Sequence, residues 1–319
     1  MIRFLIRRIV SGIVVLWVTT VAVFALFFVA PHNVAQIIAG RQATQQTVAL
    51  VRARLGLNKP VLYQYWEFVV RLVHGNLGYS YYNSEPVTQL LASRFSVTAS
   101  IAIGGGILWL AMGVMSGVIS ARRPRSLIDR GITVVALIFY SMPTFLLGIV
   151  LLYFLFFQLH LAGIDFFPGS GYVAISSDPL GWAQHMLLPW FTVALTSAGT
   201  YTRLTRTGML EVLSEDYIRT ARSKGVGEGR IIFVHALRSA LTSVVTQFGI
   251  DLGILLGGAV VTESIFGLPG LGQLAILSMT EQDLPVVTGI VMIGAVFVVV
   301  GNIVVDMIYP ILDPRVRLR

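Results

Sequence analysis

Ionisable side chains that could do chemistry are few in this chain, and two of them occupy costly positions. Asp251 interrupts an otherwise charge-free run over residues 239–262, and Asp306 directly follows another over residues 284–305. A carboxylate among apolar residues is expensive in a membrane, so it marks either a function or a satisfied polar network. A pair of such aspartates would suit hydrolysis of a peptide bond within the membrane. Their flanks argue against it. Asp251 follows Gly249-Ile250 and Asp306 follows Val305, without the Gly-x-Gly-Asp and Tyr-Asp settings that such a site uses. Asp306 reads better as a helix-end carboxylate bonded to nearby backbone or to an arginine. For Asp251, a polar packing network and a place on a translocation path both stay open.

Other chemistries are excluded more simply. A phosphate-binding loop needs Gly-Lys followed by Ser or Thr. The chain has only Lys59 and Lys224, followed by Pro60 and Gly225. Cysteine is absent, so neither a thiolate nucleophile nor a thiolate metal site is available. His32, His74, His160, His185 and His235 are scattered, and no metal site is expected. The chain is therefore expected to be no enzyme and to bind no cofactor of its own.

The elements that carry these residues are membrane helices. Hydrophobic residues make up 55% of the 319 and charged ones 12%, about half the charge of an ordinary soluble domain. Charges are missing from residues 9–40, 95–121, 131–164, 179–202 and 284–305, and 239–262 holds only Asp251. Roughly 20 apolar residues cross a bilayer. The expectation is an all-α polytopic protein with six transmembrane helices, at about 9–30, 96–120, 132–156, 185–202, 242–262 and 285–309. The first apolar run is too long for a signal-peptide core and ends without a small-x-small cleavage site, so it reads as a retained span. Between spans one and two, Leu62, Tyr65, Trp66, Val69, Val70 and Val73 follow helical periodicity, which predicts a short amphipathic helix ended by Gly75, Asn76 and Gly78. Gly249, Gly253 and Gly257 recur every four residues in span five, as do Gly113 and Gly117 in span two. Such faces let helices approach closely, within the bundle or at a subunit interface.

Net charge is +8, and its distribution reports topology, not a nucleic-acid partner. Arg3, Arg7 and Arg8 precede span one; Arg122, Arg123, Arg125 and Arg130 lie between spans two and three. Arg203, Arg206, Arg219, Arg222, Lys224, Arg230 and Arg238 lie between spans four and five, and Arg315, Arg317 and Arg319 follow span six. The opposite short loops, residues 165–178 and 263–283, contain no Lys or Arg. By the positive-inside rule both termini belong in the cytosol. The outer segment after span one carries Arg41, Arg52, Arg54, Lys59, Arg71 and Arg94, but it is long enough to weaken that rule.

The cytosolic segment 203–238 is too long for a tight turn between antiparallel helices. Met209, Leu213, Tyr217 and Ala221 form one apolar stripe, with Arg219, Arg222 and Lys224 off it. Ser214, Glu215 and Asp216 suit a helix start, and Gly225, Gly227 and Gly229 a stop. A short helix near 214–226 follows, either lying on headgroups or presented to a partner.

The residues Asp216-Tyr217-Ile218-Arg219-Thr220-Ala221-Arg222-Ser223-Lys224-Gly225, followed by His235-Ala236-Leu237-Arg238-Ser239-Ala240-Leu241, resemble the cytosolic loop of peptide-type ABC importer permeases. That loop reads D-Y-I-R-T-A-R-A-K-G and then H-A-L-R-N-A-L. The broader permease motif, EAA-x3-G-x9-I-x-L-P, is matched only by Ala221, Gly225 and Leu237, which disfavours a sugar-type permease. The resemblance extends to Arg54-Leu55-Gly56-Leu57-Asn58-Lys59-Pro60, Gln64-Tyr65, Gly75-Asn76-Leu77-Gly78, Gly257-Gly258-Ala259-Val260-Val261, Glu263, Phe266 and Pro269-Gly270-Leu271-Gly272. It closes with Asp283, Pro285, Asn302, Asp306, Tyr309 and Asp313-Pro314-Arg315.

The resemblance implies a type I ABC importer permease fold in a bacterial inner membrane. Residues 1–94 would form an N-terminal helix plus outer segment, and residues 95–319 the permease domain of five helices. It also implies a second homologous permease, two ATPase subunits carrying ATP and Mg²⁺, an extracytoplasmic substrate-binding protein, and peptide cargo. Residues 216–225 would be the helix that docks on an ATPase. The outer segment and the loop of Glu263, Phe266, Pro269, Gly270 and Gly272 would face the binding protein. Relatives that import nickel, glutathione or opine-like solutes share these motifs. A secondary transporter would need inverted repeats with broken helices, and no convincing repeat is visible.

Overall fold

Long apolar runs become long helices here because a bilayer leaves the backbone no other partner. A computed structural model describes residues 2–29, 35–36, 44–54 and 56–312, with side chains over 6–29, 35–36, 44–53 and 56–307. The side chains of Arg3, Arg41, Arg54, Tyr309, Arg315, Arg317 and Arg319, parts of the outer segment, and the closing Asp313-Pro314-Arg315 lie outside these described residues.

Helix α1 (Ile2–Phe24) runs on through a π-helical turn, Ala25–Val29. Helices α2 (Gln45–Arg54) and α3 (Val61–Val73) follow, then a two-stranded antiparallel hairpin, β1 (Tyr79–Ser80) and β2 (Glu85–Pro86), with Tyr79 opposite Pro86. The 36-residue helix α4 (Val87–Arg122) comes next, and the expected boundary at 94/95 falls inside it. Helices α5 (Leu127–Ser141), α6 (Thr144–Leu161), α7 (Pro179–Leu213) and α8 (Asp216–Ser223) precede α9 (Glu228–Leu256). The chain ends with α10 (Val260–Ile265), α11 (Leu271–Thr280) and α12 (Leu284–Leu312).

Among the described residues, five helical stretches are long and apolar enough to cross a membrane: Ile6–Val29, Val87–Arg122, Thr144–Leu161, Glu228–Leu256 and Leu284–Met307. Helix α7 is a sixth long helix, but not one of these five. It packs along α4, where a Cβ on Gly117 would come within 2.8 Å of the Thr202 carbonyl oxygen.

Expected spans two and four run longer, as α4 and α7, and two others are redrawn for a local reason. The third breaks at Met142, held extended (ψ 125°) by the ring of Pro143, so α5 and α6 replace one helix over 132–156. The fifth starts earlier, at Glu228, and stops at Leu256, because Gly258 adopts a φ of +138° that a side chain would resist. The predicted amphipathic helix is α3, and Gly75 (φ +71°) follows its end.

Trp109 on α4, Tyr201 and Met186 on α7, Val244 on α9, and Phe266 and Leu268 form the central core. Arg8 pairs with Asp306 at 2.8 Å, fastening α1 to α12. The hairpin is held to the start of α12 by Ser80, whose hydroxyl donates to Asp283 Oδ2 at 2.5 Å.

Candidate functional site

Helix α8 is built by strong local signals at both ends. Helix α7 stops at Leu213, and the Ser214 hydroxyl folds back onto the Glu211 carbonyl at 2.7 Å. Glu215 is extended, and Asp216 then opens α8 with a carboxylate beside its positive end. At the other end Gly225 takes a φ of +76°. Its N–H donates to Arg222 O at 2.9 Å and that of Val226 to Ala221 O at 3.2 Å, the paired bonds of a glycine-terminated helix. Gly227 and Gly229 do not stop this helix; they belong to the start of α9, where Gly227 is the N-cap.

Ile218 anchors α8. It is fully buried among Val118 and Ala121 of α4, Met209 of α7, and Ile231, Ile232 and Ala236 of α9. The predicted continuous stripe through Met209, Leu213, Tyr217 and Ala221 is cut by the break at 214–215, so Met209 belongs to the core beneath and Ile218 takes the inward position. Tyr217, 37% exposed, and the partly buried Ala221 lie off this anchor, with Thr220, Ser223 and Lys224 exposed. Arg222 donates to both carboxylate oxygens of Glu228, at 2.7 and 3.4 Å, linking α8 to α9, while exposed Arg219 pairs with Asp216 at 3.4 Å. Such exposed pairs orient side chains but add little stability.

A second cluster was missed by sequence reasoning. Asp129, 4% exposed, accepts from Arg206 Nε at 2.8 Å and Nη2 at 2.9 Å, from Arg125 N at 2.7 Å, and from the Ser120 hydroxyl. The fork of a guanidinium on a carboxylate is among the stronger protein hydrogen-bonding arrangements. It braces α4, α5 and α7 just above α8. The only sequence signal is Ser126, three residues ahead, whose side chain accepts from Asp129 N at 3.2 Å as an N-cap. The partner arginine is 77 positions away and invisible to periodicity.

Asp251 is half-buried, with both carboxylate oxygens bonded to side chains of its own chain. Buried Tyr201 donates to Oδ2 at 2.7 Å and Gln247 Nε2 to Oδ1 at 2.8 Å. Trp109 packs on Tyr201 with ring centroids 6.0 Å apart. The glycine face of α9 meets α12: a Cβ at Gly253 would stand 2.9 Å from Val298 Cα, one at Gly257 3.2 Å from Gly294 Cα, and one at Gly249 would strike Val305.

Four of the five residues expected to face a binding protein are buried in a turn. Glu263 is fully buried and accepts from the Thr98 hydroxyl at 2.7 Å, Ala259 N at 3.2 Å and Gln273 N at 2.8 Å. Thr98 in turn accepts from Leu271 N at 2.8 Å. A Cβ on Gly272 would stand 2.6 Å from Val260 Cα, and one on Gly270 would overlap the Glu263 carboxyl group. These glycines are required so that backbone can close around the carboxylate. Phe266, Gly270 and Gly272 are buried, and Pro269 alone of the five predicted residues keeps partial exposure.

Comparison with known proteins follows this architecture. Residues 113–318 match the family of binding-protein-dependent transport system inner membrane components, and residues 1–102 match the N-terminal part of such membrane components. A putative peptide transport system permease protein of Brucella abortus is 40% identical over 314 residues, covering 98% of both chains. The di/tripeptide transport system permease protein DppB of Pseudomonas aeruginosa is 36% identical over 99% of each. The glutathione transport system permease protein GsiC of Escherichia coli is 34% identical over the full length of each. Among solved structures, an inward-facing MetNI methionine ABC transporter matches with a TM-score of 0.54 at 20% identity, covering 72% of this chain and 99% of that one, which establishes a shared fold. The chain is a multi-pass membrane protein that belongs to the family of binding-protein-dependent transport system inner membrane components.

Proposed function

We propose that this chain is one of two homologous permease subunits of an ATP-driven importer for short peptides, and that α8 is the element through which ATPase subunits move its spans. The observation that carries this reading is the rooting of α8. Its single buried anchor, Ile218, belongs to one apolar cluster with residues of three helices, while Tyr217, Ala221 and Gly225 keep surface for a partner groove. A displacement of α8 is thereby passed to α4, α7 and α9 together. The Asp129–Arg206 brace ties α4 and α7 further to α5.

On this reading ATP and Mg²⁺ sit on two partner subunits, and this chain binds no cofactor. Both termini lie in the cytosol, as the arginine distribution favours. A substrate-binding protein delivers cargo on the opposite side, near the 79–86 hairpin; the buried Glu263 turn supports the permease from within. Asp251, with both oxygens engaged, belongs to a polar network, and Gly249, Gly253 and Gly257 serve packing inside the chain.

Di- or tripeptides are the favoured cargo because relatives at 36–40% identity carry peptide transport names. Glutathione is the second reading, favoured by the 34% identity to its permease over the whole length. Deleting the gene and measuring uptake of a labelled tripeptide and of labelled glutathione separates them. Loss of tripeptide uptake, restored by the gene, is expected; unchanged uptake of every peptide tested overturns the peptide assignment.

A further inference from the structure

Helix α3 has three faces, and among the described residues one packs on α1, one bonds the turn before the helix, and one is exposed. Tyr65, Phe68 and Leu72 pack against α1, where Phe24 lies 5.4 Å from the Tyr65 ring and 5.7 Å from that of Phe68. Gln64, Glu67 and Arg71 form a polar stripe. Gln64 and Glu67 bond the turn before the helix, with Gln64 Nε2 donating to Lys59 O at 2.8 Å and Lys59 Nζ to Glu67 at 3.2 Å. Directly opposite, at helical positions four and eleven residues apart, stand Leu62, Trp66 and Val73, exposed by 83, 65 and 79%.

Two independent measures give the depth of this helix. The Arg8–Asp306 pair marks the arginine-rich end of the bundle. Thr20, whose hydroxyl bonds Tyr65 Oη at 2.8 Å, is 20 − 8 = 12 residues above Arg8, or about 18 Å along a helix. Met292, which clusters with Phe68 and Phe24, is 306 − 292 = 14 residues from Asp306, or about 21 Å. The hydrocarbon layer is about 30 Å thick. Phe28, whose ring lies 5.5 Å from that of Phe68, is 28 − 8 = 20 residues above Arg8, or about 30 Å. A helix touching α1 and α12 from about 18 to 30 Å therefore occupies the far leaflet up to its edge.

We infer that α3 lies at the outer edge of the leaflet far from the Arg8–Asp306 pair, with Leu62, Trp66 and Val73 against lipid acyl chains and the Gln64–Glu67–Arg71 stripe turned to water. The opposed polar and apolar stripes suit this orientation, and a tryptophan suits this depth. The exposed surface of α1, including Trp17 and Val21, continues the same apolar wall. The free face of α3 thus takes lipid, and a soluble binding protein meets the hairpin side instead.

The absence of native cysteine makes the test direct. Single Leu62→Cys, Trp66→Cys, Val73→Cys and Glu67→Cys variants of the full chain, reconstituted in phosphatidylethanolamine–phosphatidylglycerol vesicles, are given a nitroxide label. Collision with oxygen and with a water-soluble nickel chelate is then measured. Positions 62, 66 and 73 are expected to give severalfold higher oxygen-to-chelate ratios than position 67. High chelate access at 62 and 66 overturns the inference in favour of a water-facing surface, and low access to both reagents overturns it in favour of a protein cover. Independently of the labelled variants, brominated lipids should quench the unmodified chain more than Trp66→Phe. Equal quenching contradicts the lipid contact.

Discussion

Replacing Ile218 with alanine removes three side-chain carbons from a site with no solvent exposure. At about 0.8 kcal/mol per carbon the transfer loss is about 2.4 kcal/mol. The cavity left between Val118, Met209 and Ile231 raises the cost to about 3–4 kcal/mol. Helix α8 has eight residues and cannot stand alone, since isolated helices below about 12 residues are marginal. The Arg222–Glu228 pair that links α8 to α9 is exposed and adds little. The loss therefore appears as local opening of α8 and not as global unfolding. A change of about 3 kcal/mol is roughly a hundredfold in the opening equilibrium. Hydrogen exchange read by mass spectrometry on residues 216–226 should accelerate by that factor in Ile218→Ala, less in Ile218→Val, and little in Arg222→Ala. Exchange in α12 should stay unchanged. Equal protection of α8 in wild type and Ile218→Ala would refute the anchoring argument.

Two further outcomes are expected. Glu263→Ala leaves the Thr98 hydroxyl and two backbone N–H groups buried without their acceptor, each costing about 1–3 kcal/mol, so the thermal midpoint in detergent should fall sharply. Glu263→Gln should not restore it, because the amide nitrogen then meets a backbone donor; full rescue would contradict the donor count. Reporter fusions at Ser84 and Ser170 should read as extracytoplasmic and one at Glu228 as cytosolic, whereas a cytosolic reading at Ser170 would invert the topology.

Much of this architecture is legible in the sequence because bilayer crossing imposes length and apolarity, and amphipathic helices impose period. The spans, α3, α8 and the Gly225 stop follow from those rules. Local breaks were harder: Pro143 divides a run that hydropathy joins, and Gly258 ends α9 where the apolar pattern continues. The family resemblance places Glu263 on a partner-facing loop and says nothing of burial, and Gly267, Pro269 and Gly270 do not correct it. In fact the missing side chains make room for a buried carboxylate, a three-dimensional requirement that turn signals cannot distinguish from exposure. The Asp129–Arg206 brace is invisible for a different reason. Its partners lie on separate helices, and arginine at a cytosolic end is already accounted for by topology.

The central claim is that α8 transmits the work of ATP hydrolysis to the spans. The most direct measurement is ATP-driven peptide uptake and its coupled ATP hydrolysis in vesicles carrying Ala221→Glu beside the unmodified transporter. Ala221 lies outside the five apolar spans, so the variant should still insert at normal abundance. A charge forced into the docking contact without a partner costs about 3–5 kcal/mol, enough to release the ATPase. The account predicts normal insertion with uptake and coupled hydrolysis lost; normal insertion with both activities intact would contradict it.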